Sequence, residues 1–187
     1  MSFLFSDNLN AALVAYIVKK YNEVSTVPLG RTILQKVCYF SKHNGVPLRY
    51  DFEIYNYGPY SQELYFEVAD FKVDDLLIDT SREDKLSVYK PGKKANALIK
   101  KYQKEIDKYK DNIDSVISLF RKVKPVDFEL CATVHYLYNS LSRYYSKAPD
   151  VKELIKKLKE IKGSKFTDSQ IQHIYGELIR VGLIPQG

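Results

Sequence analysis

The sequence predicts a mainly α-helical chain with one small β-hairpin, and three observations carry that prediction. Apolar residues recur at three- and four-residue spacing through most of the 187 residues. Capping residues and Gly or Pro stops fall between these runs. Two short β-favouring runs, at 76–78 and 86–89, flank a polar segment, 79–85, and end at Pro91-Gly92.

Ser6 is placed to cap a first helix over about 7–22, with Leu9, Leu13, Tyr16, Ile17 and Tyr21 on one face. Val27-Pro28-Leu29-Gly30 interrupts it. A second helix, about 31–43, carries Ile33, Leu34, Val37 and Phe40 and stops before Asn44-Gly45. Residues 50–57 are aromatic-rich and partly alternating, which predicts a short strand or extended loop. Gly58-Pro59 follows, and Ser61 caps a third helix, about 62–74, with Leu64, Val68 and Phe71 buried. Three helices and then a hairpin is the order of a winged-helix domain.

The second half reads as almost wholly helical. Residues 93–110 form one amphipathic helix with Leu98, Tyr102, Ile106 and Tyr109 inward, followed by a short helix at about 112–121. Pro125 opens a helix over about 126–145. Asp150 with Glu153, and Thr167 with Gln170, have capping-box spacing for two final helices, and Gly182 ends the last. The expected division is a winged-helix-like subdomain, 1–92, and a helical subdomain, 93–187, packed as one unit.

The net charge of +6 hides an asymmetry. Residues 1–89 sum to −3 and residues 90–187 to +9, a pattern that hints at an anionic partner. No apolar run approaches the ~20 residues a membrane span needs. The start, Met1-Ser2-Phe3-Leu4-Phe5-Ser6-Asp7, lacks the features of a secretory leader, so a cytoplasmic protein is expected. Cys38 and Cys131 sit in apolar helical patterns and read as two reduced, buried thiols.

One set of residues is distinctive by its order and spacing. It runs Gly30-Arg31-Thr32-Ile33-Leu34-Gln35-Lys36-Val37-Cys38-Tyr39-Phe40, then Tyr57-Gly58-Pro59-Tyr60-Ser61-Gln62-Glu63-Leu64. A second block is Phe128-Glu129-Leu130-Cys131-Ala132-Thr133-Val134-His135-Tyr136-Leu137, and a third is Lys165-Phe166-Thr167-Asp168. Together they resemble the YwgA-type proteins of bacteria and archaea and, more distantly, the SocA-like antitoxin (Panacea) domain. The YwgA-type proteins carry over no activity. Panacea domains are associated with antitoxins that bind a toxin, and SocA with an adaptor role in toxin proteolysis. The resemblance therefore implies a binding module rather than a catalyst.

Physical roles follow for several motif residues. Gly58 supplies an unusual backbone angle and Pro59 fixes φ ahead of the third helix. Gln35 and Lys36 are placed to hydrogen-bond the 55–60 segment, while Arg31 opens their helix. The set Arg31, Gln35, Lys36, Gly58 and Pro59 serves either to maintain the fold or to build a site.

Signals for catalysis are absent. No phosphate-cradling glycine motif occurs, and His43, His135 and His173 lack metal-ligand spacing with the two cysteines. His135 lies among apolar neighbours, where a satisfied helix histidine is the common case. Asp70, Asp74 and Asp75 share a helix end that could hold a cation, although a solvated face is commoner. No catalytic, cofactor or metal site is expected, and a pocket near Gly58-Pro59 stands only as a third reading. The sixteen tyrosines either complete a core that lacks Trp or present interface area, as Tyr50, Tyr55, Tyr57 and Tyr60 invite.

The third helix argues against direct DNA reading. Residues 61–75 carry Glu63, Glu67, Asp70, Asp74 and Asp75 against Lys72, a local charge of −4 that phosphate would repel. Nucleic acid would instead have to use Lys93, Lys94, Lys100, Lys101 and Lys104, with Lys156, Lys157 and Lys159. The leading expectation is a non-catalytic protein-binding module contacting its partner, a toxin by the resemblance, through Tyr57, Tyr60, Gln62, Glu63 and Glu67. The alternative is a transcriptional regulator or other nucleic-acid binder using the basic half. The sequence sets no oligomeric state.

Overall fold

The structure, a computed structural model, describes residues 5–82 and 85–185. Along the chain run α1 (Leu9–Val24), α2 (Arg31–His43), β1 (Glu53–Tyr55), β2 (Gly58–Tyr60), α3 (Gln62–Val73), β3 (Leu77–Asp79), β4 (Tyr89–Pro91), α4 (Ala95–Lys101), α5 (Gln103–Ile106), α6 (Lys110–Phe120), α7 (Pro125–Tyr145), α8 (Val151–Lys162) and α9 (Asp168–Arg180). The described residues are thus mainly helical with two small antiparallel strand pairs, β1–β2 and β3–β4. None of their helices is long and apolar enough to cross a membrane.

The chain divides into two packing units, one of Met1–Phe52 with Tyr60–Lys124 and one of Glu53–Pro59 with Pro125–Gly187. The division differs from the expected one at 92/93, because α4, α5 and α6 pack against α1, and α6 also against α2.

In the first unit α1 is buried on nearly every side, from Ala11 through Ala15 and at Ile17, Val18 and Tyr21. A helix that apolar around its circumference belongs at the centre of a core, and α2, α4, α5, α6 and β4 all pack on it. Its cap is Asn8, whose side chain accepts from the Ala11 N–H, so the helix starts two residues later than Ser6 would have set it. α2 ends as predicted. Gly45, at φ +89°, turns the chain while its N–H and that of Val46 close on Lys42 O and Ser41 O.

The 50–57 segment is not one strand. Its end, β1, pairs with β2 across Asn56-Tyr57, and Gly58 at φ +86° makes that turn possible. The β3–β4 hairpin pairs Leu77 with Pro91, Ile78 with Lys90 and Asp79 with Tyr89. Of its expected polar connection, 83 and 84 lie outside the described residues, as do Met1 to Leu4 of the start. The long helix expected over 93–110 is broken. Tyr102 (φ −104°, ψ 20°) separates α4 from α5, and Tyr109 (φ −121°, ψ 3°) precedes α6, so the chain bends to keep its apolar face on α1.

The second unit packs α7, α8 and α9 pairwise around Leu130, Val134, Leu137, Tyr138, Leu154, Leu158, Phe166, Ile171 and Leu178. Thr167 and Gln170 form the predicted capping box, and Asp150 caps α8 through the Lys152 N–H. Gly182, at φ +75°, ends α9, with Leu183 N–H donating to Leu178 O.

Candidate functional site

Helix α3 is fixed at its start by the motif glutamine of α2. The buried Gln35 amide donates to Ser61 O at 2.9 Å and accepts from Ser61 N–H at 2.8 Å. Ser61 Oγ in turn accepts from Leu64 N–H at 3.3 Å, capping α3. The bonds fall one residue beyond the expected 55–60 segment, on the cap itself. That is where backbone groups need a partner from outside the helix. Lys36, the neighbour of Gln35, is buried, and so are Gly58 and Pro59.

On α3 two apolar faces oppose each other. Leu64, Val68 and Phe71 are buried, while Phe66 (59% exposed), Ala69 and Val73 (72% exposed) face solvent. At 100° per residue the two sets point about 165° apart. Tyr65, beside the outer stripe, has its ring 5.5 Å from Phe66 and 6.2 Å from Tyr60, with the Arg31 guanidinium 5.0 Å from its centroid. Gln62, Glu63 and Asp70 are exposed along the same helix. The result is a rigid, aromatic, acid-edged face of the kind that excludes water when covered. Sequence reasoning missed Tyr65, Phe66 and Val73 because the inward stripe already accounted for the helix. The available signal was the second apolar stripe at i, i+3, i+7.

Not every predicted contact residue lies on that face. Glu67 is half-buried and engaged within the first unit. Its carboxylate accepts from Tyr50 OH at 2.6 Å and from Asn10 Nδ2 at 3.2 Å, and pairs with Arg49. Burial, the main influence, raises the Tyr50 phenol well above its ordinary range, so Tyr50 is a hydrogen-bond donor rather than a base. Tyr60 is half-buried. Tyr57 is exposed and belongs to the second unit, so it is grouped by packing apart from Gln62 and Glu63.

Within the second unit, Tyr57 sits in a charged clamp. Lys162 Nζ donates to Asn56 O at 2.6 Å, Tyr55 O at 3.2 Å and Glu129 Oε1 at 3.1 Å. Lys165 Nζ donates to both Glu129 oxygens, at 2.7 and 2.9 Å, and lies 5.3 Å from the Tyr57 ring centroid. The side chains of Glu129 and Lys162 are 3% and 4% exposed. Burial lowers the Lys162 ammonium below the usual lysine range, and Glu129 opposes that shift. Every proton of Lys162 has an acceptor, so the clamp holds the β1–β2 turn rather than waiting for a ligand. Sequence reasoning left Glu129 without a role. A glutamate inside the run Phe128-Glu129-Leu130 signals a buried charge, and such a charge needs a partner.

The other candidates are resolved individually. Lys93, Lys100 and Lys104 are exposed and Lys94 is half-buried, but the break at Tyr102 divides them between helices. Lys101 is paired with Asp7 at 2.5 Å. On α8, Lys157 and Lys159 pair with Glu160 and Asp168. Asp74 accepts from the Phe5 and Ser6 N–H groups and Asp75 from Lys93 N–H, so these carboxylates serve the backbone. No cluster fit to hold a metal occurs among the described residues. His135 is buried and bonded to Leu183 O at 3.1 Å, the satisfied histidine expected. Both thiols are free and buried, and burial pushes Cys131 up to about 12, which leaves it unreactive. Neither the protein-family models nor the curated proteins contain a match to this chain.

Proposed function

We propose that the chain is a non-catalytic protein-binding module whose contact surface is the outer face of α3. The observation that carries this reading is the exposed stripe Phe66, Ala69 and Val73 on a helix whose inner face is already buried. Monomeric proteins rarely leave aligned large apolar side chains in water without a use for them. The acidic edge of Glu63 and Asp70 selects a basic partner surface and repels phosphate. Tyr60, Gln62 and Glu63 contribute from the start of the helix. The order α1, α2, α3 and then β3–β4 supports a winged-helix-like arrangement in which α3 takes the recognition position. With the resemblance to Panacea domains, the partner class is a toxin or a client handed on by an adaptor.

Extract from the source cell, passed over immobilised wild-type protein and over a folded Phe66→Ala/Glu63→Lys variant, tests the reading. A protein retained by the wild type and lost by the variant is the expected result. Equal retention by both overturns it. So does nucleic acid as the only cargo, bound at about 50 mM salt and released steeply as salt rises.

A further inference from the structure

The outer face of α3 has the register of a coiled-coil seam. With Phe66 as an a position, Ala69 is d and Val73 the next a, while Gln62 is the preceding d. Glu63 and Asp70 then both fall at e, seven residues apart, and Tyr65 and Lys72 at g. The buried residues Leu64, Val68 and Phe71 take f, c and f, the positions a coiled coil leaves outside. The helix thus shows its core the side that a zipper discards, and shows solvent the side that a zipper uses. Its 12 residues give a seam about 18 Å long. Ala69, flanked along the axis by Phe66 and Val73, leaves room for a facing side chain between two larger ones, the requirement for knobs-into-holes packing.

We infer that the partner element docking on α3 is a cationic amphipathic α-helix, with apolar residues at heptad spacing and Lys or Arg facing Glu63 and Asp70. This inference rests on the proposed protein-binding role and names the partner's form. Charge decides between a foreign helix and a second copy of α3. Glu63 and Asp70 are the acids on this face, so an antiparallel copy of α3 sets them against their own equivalents, whereas a basic helix is attracted to both. Strand addition does not fit, because the apolar side chains lie along a helix axis rather than on an unpaired strand edge.

The full chain, titrated by fluorescence anisotropy with a labelled three-heptad peptide carrying Leu at a and d and Lys at e and g, tests the inference. Saturable binding is expected, weakened about tenfold or more by Val73→Asp and by Glu63→Lys with Asp70→Lys. Two control peptides, one with Glu in place of Lys and one scrambled, are expected to bind at least about tenfold more weakly. Equal affinity for the scrambled peptide, or equal affinity of wild type and both variants for the designed one, overturns the inference. A dimer of the full chain that Val73→Asp abolishes also overturns it and assigns the face to a second copy. If the peptide fails while cellular capture still depends on Phe66, the helical partner is wrong and the binding role stands. If capture also ignores Phe66, both fall.

Discussion

Replacing Glu129 with Ala removes the one carboxylate that Lys162 and Lys165 share. Lys165 has 36% of its side chain exposed and can turn to water. Lys162, at 4%, cannot, and keeps only the carbonyls of Tyr55 and Asn56. Breaking one partner out of a buried pair costs about 3–5 kcal/mol, and the two remaining carbonyl bonds place this case near 3. That corresponds to a fall in Tm of at least about 6 °C, read by circular dichroism. The pH dependence has a definite sign. The folded Lys162 pKa lies below the ordinary 10.5, so the unfolded chain binds the proton more readily in that window and stability rises with pH. Without Glu129 to hold the proton, the window reaches lower, and below the usual lysine range the variant regains stability with rising pH more steeply than the wild type does. Glu129→Leu with Lys162→Met removes both charges and loses less than Glu129→Ala alone. A Tm within about 2 °C of wild type for Glu129→Ala, or no steeper gain with pH, would refute the clamp.

Two further predictions concern backbone packing at glycines and an acid-sensitive carboxylate. A Cβ at Gly92 would lie 2.1 Å from Asp75 O, itself bonded to Lys94 N–H, so Gly92→Ala forces the backbone apart and costs about 3 kcal/mol. Gly176→Ala, in open space within α9, is expected to stabilise by about 0.5–1 kcal/mol, and thermal melts compare the two. Asp79 is governed by opposing influences. Burial would raise its carboxyl, but the N–H groups of Val88 and Ser81, with the Ser81 and Ser87 hydroxyls, hold it down to about 2. Its contribution, about 1 kcal/mol after solvent screening, is complete above the unfolded value of 3.8 and is lost as pH falls through about 2. Asp79→Asn is expected to remove that part of the acid dependence, and identical acid melts of variant and wild type would count against it.

Local signals made much of this fold legible. Pro125, the Thr167–Gln170 box and Gly182 set α7 and α9 where capping chemistry places them, and Asn44-Gly45 stops α2. What the sequence hid was decided at longer range. Leu98, Tyr102, Ile106 and Tyr109 keep helical spacing straight through 93–110, and only packing on α1 makes the chain break at Tyr102. The Tyr57-Gly58-Pro59 motif could be recognised but not explained, because its clamp residues, Glu129, Lys162 and Lys165, lie more than 65 residues further along the chain. On α3 the acids were visible and the aromatic stripe was not. Periodicity marks a helix as amphipathic once, and a second apolar face is recognised only when the first is seen to be buried.

The central claim is that the outer face of α3 is a protein-docking surface. The most direct measurement is calorimetric titration of the captured partner against wild type and against Phe66→Ala/Glu63→Lys, with both proteins melting at the same temperature. The account predicts a loss of affinity of about a hundredfold or more, as expected when a central aromatic anchor and an edge charge are removed together. Affinities equal within about twofold would contradict it.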